Sequence, residues 1–427
     1  MKMAKCGRKS GYRSRAWFGV LSALSLLNLA GSLPAADWPQ WRGPGRDGVA
    51  LEPLPEKLPD TPVVVWRKAI GHGYAAPVVA GGKLVFLDDS GGLETARCLD
   101  AASGHELWSV AVGENYTDEF EPGPRCTPLI DGDRVYVQTC RGEFHCLAMV
   151  DGATRWRFHF SDYGTVWIPD KGGGSGAASR RGNAGSPVID GDHIIVQIGS
   201  AEGACLGAFD KRSGKLIWKS QNDLTTYSSL VIGTLAGRRQ VISATCDGLL
   251  AVAPEDGALL WRVPFKTGAN RNALTPILGE DTVTFASFTT GMQCQRIVPA
   301  GVDSSALKPV EAWYNRQLKI NLATPVAVGG HLYGQGENRN FICVDRATGK
   351  LAWSQPGFGE VTSTIASGKL LLALSDRGEA LLLHANPEKY DEIGRFQACG
   401  KSFSHPALAD GVLYVRDSRE LVAWKLR

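Results

Sequence analysis

Residues 186–218 begin Ser186-Pro187-Val188-Ile189-Asp190-Gly191-Asp192, continue as an alternating apolar stretch, and end Phe209-Asp210-Lys211-Arg212-Ser213-Gly214-Lys215-Leu216-Ile217-Trp218. Asp190-Gly191 and Ser213-Gly214 are turn dipeptides of the kind two-residue hairpins require, because such turns need positive φ. Between them the side chains alternate as in half-buried strands. The stretch therefore reads as short antiparallel strands joined by tight turns, closed by a large aromatic residue.

The same unit recurs along the chain. Its closing Trp returns at Trp66, Trp108, Trp156, Trp218, Trp261, Trp313 and Trp353, with Phe396 in the next place, and several of these intervals are 40 to 43 residues. Opening turns are Gly81-Gly82, Asp131-Gly132, Gly329-Gly330, Ser367-Gly368 and Asp410-Gly411, with Ala236-Gly237 and Gly279-Glu280 as weaker members; Ser103-Gly104, Asp151-Gly152, Asp256-Gly257 and Thr348-Gly349 precede the Trp strand. Four short strands fit that period, which is that of propeller blades. The last unit starts at His405-Pro406 and stops without a fourth strand, while the first Trp strand, 62–67, has no blade before it. Pairing the two leftovers closes the ring and removes two open sheet edges. The expectation is an all-β fold: an eight-bladed β-propeller of four-stranded antiparallel blades over 61–427, its last blade completed by an N-terminal strand at about 62–67.

Ahead of the repeats, Lys2, Lys5, Arg8, Lys9, Arg13 and Arg15 precede an apolar run from Ala16 to Leu33 and the small residues Ala35 and Ala36. That order is that of a secretory signal peptide, here 1–36 with cleavage near Ala36, and not of an integral membrane span. No Cys lies at the cut, so lipid anchoring is not expected and the product is periplasmic or extracellular. The leader takes six of the 46 Lys and Arg and none of the 43 Asp and Glu, so the formal charge of +3 becomes about −3. Nucleic acid is thereby removed as an expected partner. Residues 37–60 form an extended N-terminal segment, whose Trp38, Trp41 and Arg42 are expected to pack across a blade surface.

Of ten Cys, nine follow the leader, with no CxxC pair. Cys98, Cys146 and Cys343 stand ten residues before a repeat Trp, where other units place Ala208 and Ala251. A slot shared by Cys and Ala is a small buried one. Cys140 and Cys146 flank a hairpin that a cross-strand disulfide could span, and Cys140, His145 and Cys146 together suggest a metal site, but neither is the favoured reading. Adjacent strand residues point to opposite faces, which argues against His145 and Cys146 sharing an ion. Calcium at Asp131-Gly132-Asp133 or Asp190-Gly191-Asp192 would need further oxygen ligands, and here the strand resumes at once. No metal site is expected. The long intervals from Trp156 to Trp218 and from Trp261 to Trp313 imply insertions. The first holds the Gly-rich stretch 171–176 and Arg180-Arg181, which reads as a surface loop.

The Ser/Thr-Pro opening, the Asp-x-x-Ser/Thr-Gly-x-x-x-Trp closing and the period resemble the pyrroloquinoline-quinone-like propeller repeat, from residue 62 to the C-terminus. Asp37-Trp38-Pro39-Gln40-Trp41-Arg42-Gly43-Pro44 is similar to the mature start of exported propellers of planctomycete type. The family includes quinone-dependent dehydrogenases, which use pyrroloquinoline quinone with calcium, and a non-enzymatic scaffold of outer-membrane β-barrel assembly. Alcohol-type quinoproteins carry adjacent disulfide-bonded Cys over the cofactor, and this chain has no Cys-Cys pair.

A ligand of a propeller is expected at the channel mouth, where loops entering the innermost strands converge. The residues there are His72, Tyr74, Arg125, Asn183, Tyr227, Arg271, Asn272, Asn321, Glu360, Lys401 and His405, a mixture suited to an anionic or sugar-like ligand or to a wet channel. No GxSxG elbow, HExxH helix or phosphate-cradling loop is present, and no catalytic residue is assigned. The reading adopted is an exported, monomeric binding or scaffold propeller without a cofactor, engaging a protein or cell-envelope partner. A quinone-dependent oxidoreductase with an atypical site, and a polysaccharide-binding accessory protein using Trp167 or Tyr227, remain as alternatives.

Overall fold

Each repeat folds into one four-stranded antiparallel sheet whose strands follow in chain order. The computed structural model describes residues 36–118, 121–165, 182–267, 271–301 and 304–427. Blade 1 consists of Val78–Ala80, Lys83–Ser90, Leu93–Asp100 and Glu106–Glu114. Blades 2 to 7 repeat this on 129–159, 188–220, 231–264, 277–315, 326–356 and 362–397. Blade 8 takes three strands from the C-terminal end, and Val63–Ala69 pairs antiparallel with Glu420–Lys425 as its fourth. The eight-bladed propeller, with ring closure by the N-terminal strand, is thus observed.

The repeat motif is legible as blade-to-blade joinery. Trp side chains bond the next blade: Trp66 Nε1 donates to Ala101 O at 2.9 Å, Trp108 to Met149 O at 3.0 Å, Trp218 to Pro254 O at 2.9 Å and Trp313 to Arg346 O at 2.9 Å, whereas Trp261 donates to Gln240 Oε1 of its own blade at 2.6 Å. The receiving turn must carry Gly. A Cβ on Gly104 would lie 2.7 Å from the Trp66 ring, and the backbone there has φ of 71°, which L side chains rarely adopt. The Asp of the motif ties the same turn, since Asp100 Oδ1 accepts from Ser103 N at 2.8 Å and Ser103 Oγ at 2.6 Å. Those bonds hold the Asp100 carboxyl below its usual range. At the inner end the Ser/Thr of one opening staples the blade before it: Thr127, Ser229 and Thr324 accept from the backbone N of Ala76, Ser186 and Thr275 at 2.9–3.2 Å.

The core lies in layers between neighbouring sheets. Between blades 1 and 2 it includes Val78, Val85, Leu87, Val135, Val137 and Leu147. Cys98, Cys146 and Cys343 are fully buried and face Trp108, Trp156 and Trp353 across the strand pair, as Ala208 and Ala251 face Trp218 and Trp261. A larger residue there would collide with the indole, which explains the Cys/Ala slot. All nine described Cys are buried and unpaired, so Cys140 and Cys146 form no disulfide. Asp131, Asp133 and Asp190 pair with Lys211, Arg155 and Arg239 at 2.6–2.9 Å. The long interval before Trp313 is largely a longer hairpin, Gly291–Pro299 with Leu307–Asn315, rather than a loop. The Gly-rich stretch 171–176, Trp167 and Arg180-Arg181 fall outside the described residues.

Candidate functional site

The first strands of the blades adjoin one another around the ring axis. The segment 38–50, expected on a blade surface, runs along that axis instead and touches every blade. Trp38 exchanges backbone hydrogen bonds with Val79 of blade 1 at 2.7 and 2.9 Å, and Pro39 O accepts from Ile130 of blade 2 at 2.8 Å. Arg46 donates to Ser186 O and Pro187 O of blade 3 at 3.0 and 2.8 Å, and to Leu230 O of blade 4 at 2.8 Å. Trp41 Nε1 reaches Thr275 of blade 5 at 3.0 Å, and Arg42 reaches Pro325 O of blade 6 at 2.8 Å. Gly48 and Ala50 bond Ala366 of blade 7, and Trp38 stacks on His405 of blade 8 with ring centroids 6.1 Å apart. The chain thus carries its own plug.

Arg42 and Arg46 are 2 % and 3 % exposed, and burial lowers their pKa to about 10 and about 9. Backbone carbonyls at the entries to the inner strands and the Gln40 amide oxygen at 3.1 Å, not carboxylates, satisfy Arg46. Those backbone oxygens point at the axis because the first strand of each blade has a neighbour on one side only. The planar fork of Arg can meet several at once.

The residues expected at the channel mouth divide into three groups. His405, Asn183 and Asn272 are buried. His405 occupies the Ser/Thr position of its opening and receives both Trp38 and Trp41, the latter edge-on at 5.6 Å. Asn183 Nδ2 donates to Cys140 O at 3.1 Å and Asn272 Nδ2 to Thr245 O at 2.8 Å, each tying an entry loop to the previous blade. A second group gathers beside blades 1 and 2. There Arg125 binds both oxygens of Asp118 at 2.8 Å and lies over the rings of Tyr74 and Tyr116, with His72 3.7 Å from Glu121. Tyr74 meets Phe403 edge-on, and Lys401 Nζ sits 5.0 Å above that ring. In the third group Arg271 donates to Asn321 at 2.9 Å and covers Phe288, Glu360 pairs with Arg339 at 2.9 Å, and Tyr227 is half-buried.

Burial, followed by the nearby Arg42 charge, depresses the His405 pKa from 6.5 to about 3. The unfolded chain therefore takes up a proton near pH 6.5 that the folded chain refuses. Stability from this group is complete above that value and is lost as pH falls from about 6.5 towards 3. Going from pH 7 to pH 5 should cost about 2 kcal/mol through His405 alone. Buried Glu94 works the other way: burial raises it to about 8, so its contribution is complete below about 4.5 and is lost as pH rises through 8. Urea unfolding of the parent and His405→Gln at both pH values separates the two. The parent is expected to lose about 2 kcal/mol more than the variant on acidification, and equal losses would refute the assignment.

Sequence reading missed a groove of about 630 Å³ between blades 1 and 2, lined by Ala111, Val112, Glu143, His145, Arg157 and Asp162 among others. Strand alternation held the signal. Glu143 and His145 share one face, and in register they meet His159 and Arg157 of the next strand.

Pyrroloquinoline quinone, a planar tricarboxylate, would need free cationic donors at the mouth. Arg125 and Arg271 are engaged by Asp118 and Asn321, and the axis beneath holds Trp38, Trp41 and Arg42. Among the described residues no group of three or more His, Cys, Asp and Glu is arranged to hold a metal ion.

Fold, repeat chemistry and ring closure define a propeller of the pyrroloquinoline-quinone-like class. The chain belongs to that family: residues 92–355 match the family model described as outer membrane protein assembly factor BamB. Outer membrane protein assembly factor BamB of Salmonella typhimurium is 28 % identical over 120 residues, covering 26 % of this chain and 30 % of the relative, so that match spans about a third of the relative's length. Its counterpart in Moranella endobia is 23 % identical over 340 residues, 75 % of this chain and 79 % of the relative. Among solved structures, BamB from Moraxella catarrhalis superposes with a TM-score of 0.58 at 15 % identity, covering 86 % of this chain and 98 % of that one. Quinohemoprotein alcohol dehydrogenase ADHIIG from Pseudomonas putida HK5 does so with a TM-score of 0.58 at 11 % identity, covering 92 % and 80 %. At these identities the structural likeness establishes the fold.

Proposed function

We propose that this chain is a non-catalytic binding propeller that engages a protein of the cell envelope through its loops and blade edges. The observation that carries the reading is the plug. With the axis filled by the chain's own residues 38–50, the place where a propeller holds a small ligand is taken, and the loops around it are left for recognition. Relatives named as outer membrane protein assembly factors support a protein partner of that kind. Export directed by residues 1–36, with removal near Ala36, belongs to the same proposal, as does a monomeric state. N-terminal sequencing that begins at Asp37 is the expected result, and an acylated or retained leader would overturn it. Among the described residues no helix is long and apolar enough to cross a membrane.

A photo-crosslinking residue at the exposed positions His72, Glu360 and Lys401 tests the partner in living cells. A discrete adduct with an outer-membrane assembly protein from at least one position is expected. The quinone reading, kept in view by the dehydrogenase likeness, is tested on purified protein by titration with pyrroloquinoline quinone and calcium. No change in absorption or melting is expected; saturable binding together with absent crosslinks would reverse the assignment.

A further inference from the structure

The groove between blades 1 and 2 has a wall of mixed charge whose members are mostly occupied. Glu114 pairs with Arg141 at 3.1 Å, Glu143 accepts from the Thr139 hydroxyl, and Asp162 accepts from the His159 backbone at 3.0 Å. Two groups are left over. The exposed Arg157 guanidinium makes no ion pair or hydrogen bond among the described residues, and His145, directly opposite it in register, is 5 % exposed with a ring nitrogen that has no hydrogen-bond partner. A buried polar atom without a partner is costly, so such a site invites a ligand that supplies one. Burial and the Arg157 charge hold His145 below its ordinary pKa, so the imidazole is neutral.

Leu93, Ala111 and Val112 add an apolar strip to the same groove, and Leu93 and Ala111 are exposed. An anionic ligand would meet Glu114, Glu143 and Asp162; a cationic one would meet Arg157. A neutral molecule rich in hydroxyls suits both, because each hydroxyl donates to a carboxylate or imidazole and accepts from a guanidinium. Its C–H face can rest on Leu93 and Val112. The volume lies within the range of small-molecule sites. We propose that this groove binds a neutral saccharide of disaccharide size, with His145, Glu143 and Arg157 as its polar contacts. This site is separate from the channel mouth and does not depend on the protein-binding reading.

The test is calorimetric and saturation-transfer titration of the full protein with cellobiose, maltose and N,N′-diacetylchitobiose. At least one should bind saturably with Kd below about 1 mM. Ala111→Trp, at an exposed position, fills the groove and should abolish that binding. His145→Phe keeps the ring volume but removes the nitrogens, and should weaken binding about tenfold or more. Both variants should melt like the parent and leave envelope crosslinks from Lys401 unchanged. Failure of all three sugars to saturate below about 10 mM, or binding that survives Ala111→Trp in a folded protein, would overturn the proposal.

Discussion

Deletion of residues 61–68 is expected to abolish the cooperative thermal transition and the near-ultraviolet circular dichroism of the native protein. The deleted stretch carries most of Val63–Ala69, whose register with Glu420–Lys425 makes the first and last parts of the chain one blade. It also removes Trp66, which is 9 % exposed, packs over Gly104 and donates to Ala101 O of blade 1. Losing that one side chain costs about 3–5 kcal/mol by analogy with other large-to-small core changes. The lost strand pairing and the opened edges add to it, and the sum rivals the roughly 5–15 kcal/mol that holds a whole domain together. Trp66→Ala, as a milder companion, should leave a folded protein with a lowered midpoint and an unchanged m-value. Unchanged melting of the deletion would mean that the ring does not need its closure.

The second large effect is expected at Arg46. Arg46→Ala leaves the carbonyls of Ser186, Pro187 and Leu230 without their shared donor in a buried place, at about 1–3 kcal/mol each if unrelieved. Removing a guanidinium that has no carboxylate partner returns part of its desolvation cost. The carbonyls, however, are fixed by strands that cannot turn away, so the balance is destabilising, by about 3 kcal/mol or more. Arg46→Lys should recover only part, since a single ammonium cannot span three acceptors on two blades. Urea unfolding gives the magnitude. Limited proteolysis then locates it: cutting within 38–50 should appear in Arg46→Ala before the blades themselves become sensitive. Equal resistance in parent and variant would show that the plug is held by its tryptophans alone.

Much of this molecule is written locally. The Asp-x-x-Ser/Thr-Gly turn forms from atoms a few residues apart, as the Asp100–Ser103 bonds show, and the alternation around it sets strand faces without outside help. Period and leftover strands then determine blade number and closure, because a ring of like units has one way to leave no edge. The Cys/Ala slot was legible for the same reason, since the residue and its Trp are joined by a short hairpin. The site was not. His405 and Arg125 look alike as polar residues in entry loops; one ends sealed under Trp38, the other clamped on Asp118. Segment 38–50 contacts residues as distant in sequence as His405, which stacks on Trp38, and nothing local says that two arginines will donate to carbonyls around a ring axis. The groove at His145 likewise needs Ala111 and Val112 of another blade to exist at all. Sequence by itself determined the repeated unit, its count and the closing strand, because these rest on short-range turns and side-chain period. Only the tertiary structure decided what fills the axis and which polar groups stay unpaired, because both depend on where the ring brings distant backbone carbonyls and neighbouring blades together.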